Sequence, residues 1–165
     1  MTIASKGMRA FLCLSIVGIA KCLAAHAGDL PDPQYTPGAT NPAVTQDNIA
    51  QTICVPGYTR TVRPPAAYTN RLKRDQLNTY YKGQGDMRSV EEDHLIPLNV
   101  GGHPTAAENL WPQAYGSKYD ASYKDRCEVA AGRAVCQGNI GLVDAQRNFA
   151  VNWIEWCKQL IGDSQ

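Results

Sequence analysis

One segment limits this chain more than any other: Glu92-Asp93-His94-Leu95-Ile96-Pro97-Leu98, then Gly101-Gly102, then Glu108-Asn109-Leu110-Trp111-Pro112-Gln113. Residues 88–98 set Val90, Leu95, Ile96 and Leu98 among charged neighbours, the pattern of a partly buried strand that ends in a polar corner. Gly101-Gly102 is expected to supply the positive φ angles of a reversal, and Pro104 discourages further pairing, so the chain returns with Asn109-Leu110-Trp111 beside the first strand. Past Pro112 the apolar spacing turns helical, and the unit reads as two strands and a helix. Successive strand side chains point to opposite faces, so Asp93 and His94 can share a site only at a strand end or a bulge. An acid, an imidazole and an asparagine on one hairpin are the parts of a small metal-dependent phosphodiesterase.

The first 27 residues read as a leader. Lys6 and Arg9 precede an apolar run over residues 10–20, and Ala25-His26-Ala27 places small residues at the cleavage positions of a signal peptide. Lys21 interrupts a run already shorter than the roughly twenty residues of a membrane span, so no stable membrane association is expected after processing. The remaining 138 or so of 165 residues suffice for one core and are too few for two ordinary domains. Cys13 and Cys22 leave with the leader, and Cys54, Cys127, Cys136 and Cys157 remain. An even count in an exported chain, secreted or periplasmic, points to two disulfides. No paired Cys-x-x-Cys spacing supports a zinc site instead. Three pairings are possible. The one adopted is Cys54–Cys136, tying the N-terminal segment to the helical half, with Cys127–Cys157 linking the last two helices.

Around the hairpin the chain reads as mainly helical, giving an α+β class. Residues 28–44, rich in Pro, Gly and small polar residues, are expected to run extended over the surface, ahead of a domain spanning 45–165. A short helix is expected from Thr45, an irregular strand over residues 59–63, and a helix capped by Thr69 and running to Tyr81. Two further helices are expected over about 119–135 and over 142–161. In the last, Leu142, Ala145, Phe149, Trp153, Trp156 and Leu160 recur at steps of three and four, which marks a core face. Trp111 is expected to pack beneath the hairpin, His103 to lie in a solvated loop, and Glu91 and Glu92 to form a solvated strand edge.

Charge argues against tight nonspecific binding driven by the whole molecule. Without Lys6, Arg9 and Lys21 the chain has 13 basic against 15 acidic residues, a net charge near −2. Locally, Arg60, Arg63, Arg71, Lys73 and Arg74 fall in one short window that can face phosphates, though a solvated helix face explains them equally well. No base-reading module is visible, so cleavage, if present, is expected to tolerate sequence. No protein partner is evident.

The run Asp-His-Leu-Ile-Pro-Leu…Gly-Gly…Asn-Leu-Trp-Pro-Gln resembles the HNH endonucleases, in a bacterial branch of that family. The likeness extends through Thr45-Gln46, Asn48-Ile49 and Thr52-Ile53-Cys54-Val55-Pro56-Gly57 on one side, and through Lys124-Asp125-Arg126 and Ala145-Gln146 to Trp153 on the other. It implies a ββα-metal finger over about residues 88–126, embedded in a disulfide-braced, mainly helical domain. It implies His94 as general base, Asp93 as a metal ligand, and Asn109 as the residue that fixes the loop and orients the imidazole. The family's third signature residue, a His or Asn at the helix start, has no clean match. Aligning on Lys124-Asp125 puts Asp120 there, as a second ligand for Mg²⁺ or Mn²⁺. The implied activity is metal-dependent hydrolysis of nucleic-acid phosphodiesters; DNA is the expected substrate, and the sequence alone does not separate it from RNA. The rival reading is a noncatalytic nucleic-acid-binding or structural protein that keeps the scaffold.

Overall fold

The computed structural model describes residues 29–82 and 85–163; the expected leader lies outside them. Helix α1 spans Tyr58–Val62 and α2 spans Ala66–Asn78. Strands β1 (Val90–His94) and β2 (Leu110–Ala114) form an antiparallel hairpin, followed by α3 (Ala121–Cys136) and α4 (Leu142–Ile161). Among the described residues, helices, one two-stranded sheet and two disulfides make an α+β fold.

The register sets what each face of the hairpin meets. Asp93 pairs with Trp111, His94 with Leu110 and Glu91 with Gln113, one to one. Strand alternation therefore puts Val90, Glu92 and His94 on one face, and Glu91 and Asp93 on the other beside Trp111 and Gln113. On the first face α2 packs against both strands. On the second, fully buried Trp111 joins a core with Tyr123, Cys127, Ala131, Phe149 and Trp153 from α3 and α4.

The stretch between the strands is more than a reversal. β1 ends at His94, Pro97 caps a 3-10 turn at Leu98–Val100, and another at Ala107–Asn109 delivers the chain to β2. Gly101 has the expected positive φ, 78°. Gly102 does not, and another cause requires glycine there: a Cβ would lie 1.7 Å from the Ile96 carbonyl oxygen. Residues 29–44 have no helix and a single bridge, Thr40 to Gly102, yet they do not lie loosely on the surface. Thr36 and Val44 are buried, Gly38 N donates to Glu108 O, and Asn41 N donates to Gly101 O, so the segment laces the hairpin loop in place.

Further expectations need correction. Residues 59–63, expected as an irregular strand, form α1 and its C-cap: Arg60 N and Arg63 N donate to Gly57 O and Thr59 O. Five residues are too few to display a helical period, and the β-branched Thr59, Thr61 and Val62 mimic a strand. Helix α2 starts at Ala66, three residues before Thr69, behind an N-cap at Pro65 whose fixed φ of −60° suits a helix entry, and it ends at Asn78. Thr69 instead donates its hydroxyl to Ala66 O. Glu92 is no solvated edge, because both its carboxylate oxygens are buried. His103 does lie in the loop, partly exposed, where its Nδ1 accepts from Thr105 N and Ala106 N. The first helical turn sits where expected, as a 3-10 turn at Gln46–Gln51, and α4 has the expected bounds.

Both disulfides match the adopted pairing, with Cα separations of 5.6 Å for Cys54–Cys136 and for Cys127–Cys157. No helix among the described residues is long and apolar enough to cross a membrane.

Candidate functional site at the end of the hairpin

His94 is the last residue of β1 and is 3% exposed. Its Nε2–H donates to the Pro104 carbonyl at 2.9 Å, which fixes the tautomer and leaves Nδ1 as the basic nitrogen. Burial pulls the imidazole pKa below its ordinary value, against the opposing effects of the Pro104 hydrogen bond and the Asp93 charge. The ring is therefore neutral near pH 7, the state a base needs.

Asn109 does half of what the resemblance implies. Its Oδ1 accepts from Ile96 N at 2.9 Å and its Nδ2 donates to Ile96 O at 3.0 Å and His103 O at 3.1 Å. The amide is a fully satisfied clamp across the loop, but it makes no bond to the imidazole. Orientation passes through the backbone instead: Asn109 holds His103, and the next residue presents the carbonyl that binds His94.

Asp93 and His94 diverge, as a regular strand requires, and the residue that joins them was not foreseen. Fully buried Lys124 on α3 donates its Nζ to Asp93 Oδ2 at 2.6 Å, to the His94 carbonyl at 2.7 Å and to Glu128 Oε1. Burial alone would depress this ammonium, but the adjacent Asp93 and Glu128 charges outweigh it and raise its pKa above the usual lysine value. The signal was present in the sequence: Lys124 falls in line with Cys127, Ala131 and Val135, so a lysine occupies the apolar stripe of α3.

Near Lys124 lie further acids. Tyr115 donates its hydroxyl to Glu91 Oε2. Burial and the charge of Asp93 raise the pKa of both Glu91 and Asp125, so negative charge concentrates on this side of the hairpin. On the other face burial pushes Glu92 up to about 8, against the pull of Lys73.

The expected metal ligands are only partly free. Asp120 is the N-cap of α3, with Oδ1 accepting from Tyr123 N at 3.1 Å and Oδ2 from Gly116 N at 3.0 Å. Among the described residues no group of three or more His, Cys, Asp or Glu side chains is placed to hold an ion. Among the described residues Asp93 Oδ1 has no hydrogen-bond donor, Lys124 being bound to Oδ2. Mg²⁺ is commonly held by one or two carboxylates, the rest of its shell being water and substrate phosphate. The donor set thus fits a cation that Asp93 shares with a phosphate, and lacks a dedicated protein cage.

Of the five basic residues expected to face phosphates, Arg60, Arg63, Arg71 and Arg74 are exposed on α1 and α2 or at their ends. Lys73 is not among them, a correction: it is buried, and Nζ donates to Met87 O and Val90 O, both at 2.9 Å, which anchors the start of β1. Arg63 is close enough to His94 and Asp125 for its charge to act on both, adding to the effect of burial at His94 and partly opposing it at Asp125.

No family model matches this chain, and neither does any curated protein or solved structure.

Proposed function

We propose that the protein is an exported, metal-dependent HNH-type endonuclease that hydrolyses phosphodiester bonds, in DNA rather than RNA and with little sequence specificity. In this reading β1, β2 and α3 are the ββα finger. The observation that carries it is the geometry at His94: a buried imidazole at a strand end, its tautomer fixed by a backbone carbonyl, with Arg63 and Lys124 nearby.

His94 Nδ1 takes a proton from water, and the water oxygen attacks phosphorus in line with the 3′ oxygen, which departs as the bond to it breaks. Arg63 meets the phosphate next to His94, and Arg60, Arg71 and Arg74 guide the flanking backbone. Asn109 and Pro104 keep the ring aligned, and Lys124 holds the Asp93 carboxylate in one orientation. Mg²⁺ or Mn²⁺ on Asp93 Oδ1 would supply positive charge to a phosphate oxygen and the leaving oxygen. The two disulfides favour an oxidising compartment, in keeping with export.

A second reading, a noncatalytic nucleic-acid-binding protein, is favoured by the slight exposure of His94 and by the cap bonds that engage Asp120. Cleavage of plasmid DNA by the wild type and by His94→Ala separates the two, since only the enzyme reading predicts cleavage that the variant loses.

A further inference from the structure

Between α2 and the turn before β2 lies a cavity of about 410 Å³, a volume typical of small-ligand sites. It is a separate place from the His94 site, and none of the residues assigned to that site lines it. Tyr35 and Tyr80 form one wall with their rings stacked at 4.2 Å, and Leu72 adds apolar surface. Asp75 and Glu108 contribute two carboxylates, and no lysine, arginine or histidine lines the space. Neither carboxylate has a hydrogen-bond or ion-pair partner among the described residues. Gln76, also lining the cavity, is 4% exposed. Its Nε2 donates to Leu110 O at 2.8 Å, while Oε1 is buried and unpartnered. A buried amide oxygen without a donor is costly, and it calls for an N–H from outside the protein.

We propose that this cavity binds a guanidinium group. Its N–H donors match the free Gln76 oxygen and the two carboxylates, and its cationic plane suits the face of a tyrosine ring. A primary amine offers the charge without the plane or the fork. The guanidinium can belong to a small molecule or to an arginine side chain on a peptide, and the same chemistry serves both. The site stands independently of the nuclease reading.

The test titrates the oxidised protein with agmatine and with a blocked Gly-Arg-Gly peptide, followed by calorimetry and by the NMR shifts of tyrosine ring protons. A butylurea control has a similar shape and no charge. Saturable one-to-one binding is expected, with Tyr35 and Tyr80 shifting and affinity at least tenfold weaker in Glu108→Gln and in Asp75→Asn. The urea should not bind. Stronger binding of agmatine assigns the site to a free ligand, and stronger binding of the peptide assigns it to an arginine side chain. No saturable binding by either probe, or affinity unchanged in both folded variants, would overturn the proposal.

Discussion

Glu92 shows how a single side chain can set the pH response of the fold. Strand parity places it with Val90 and His94, toward Lys73 and Tyr81, and neither carboxylate oxygen finds a partner. Burial pushes its folded pKa up to about 8, above the ordinary glutamate value of 4.5. Between those values the folded state keeps a proton that the unfolded chain has released, so stability falls as pH rises through that window and levels off above it. Glu92→Gln removes this dependence. Urea unfolding in chelator should find the variant more stable than wild type by on the order of 1–3 kcal/mol at pH 9, and not at pH 4. A difference independent of pH would show that the carboxyl does not titrate as described. The parity that buries Glu92 was legible from the alternation around Val90 and His94. The expectation of a solvated edge failed because glutamate is usually exposed, and nothing local announced that α2 would cover that face.

At the scale of elements, Lys124 is the tie between hairpin and helix. It brings one charge from α3 to a carboxylate on β1 and to Glu128 a turn along its own helix. Lys124→Met would leave two carboxylates facing each other with no cation, and a variant that breaks a buried pair typically loses about 3–5 kcal/mol. Chemical denaturation should find that loss, and Asp93→Asn with Glu128→Gln in the same chain should restore part of it. An unchanged midpoint in the single variant would mean that the cluster does not hold the elements together. Long periodic elements were readable: the steps of three and four gave α4 its correct ends. Its interior break was not readable, because Asn152 leaves helical geometry and accepts from Glu155 N, which restarts the helix in a way no apolar period reveals. Short α1 carried too little pattern, and a plausible cap at Thr69 hid the earlier start of α2 after Pro65.

Over the whole molecule, two cross-links compensate for a small core. Cys54–Cys136 closes a separation of 82 residues, from the segment before α1 to the end of α3, and Cys127–Cys157 joins α3 to α4. By the loop-entropy model, replacing Cys54 and Cys136 together by alanine should cost roughly 4 kcal/mol. A urea midpoint equal to that of the wild type would show that the cross-link does not restrain the unfolded chain. The candidate site was legible as a list of residues, since His94, Asp93 and Asn109 do sit about one hairpin. Its wiring was not, because the Pro104 carbonyl, Lys124 and the cap role of Asp120 depend on backbone positions that only the assembled fold defines. The most direct measurement incubates the oxidised protein and His94→Ala with plasmid DNA and with RNA, in Mg²⁺, Mn²⁺ or chelator. The account predicts metal-dependent cleavage of DNA by the wild type and none by the variant. Equal cleavage by a folded His94→Ala protein, or none by folded wild type in either metal, would contradict it.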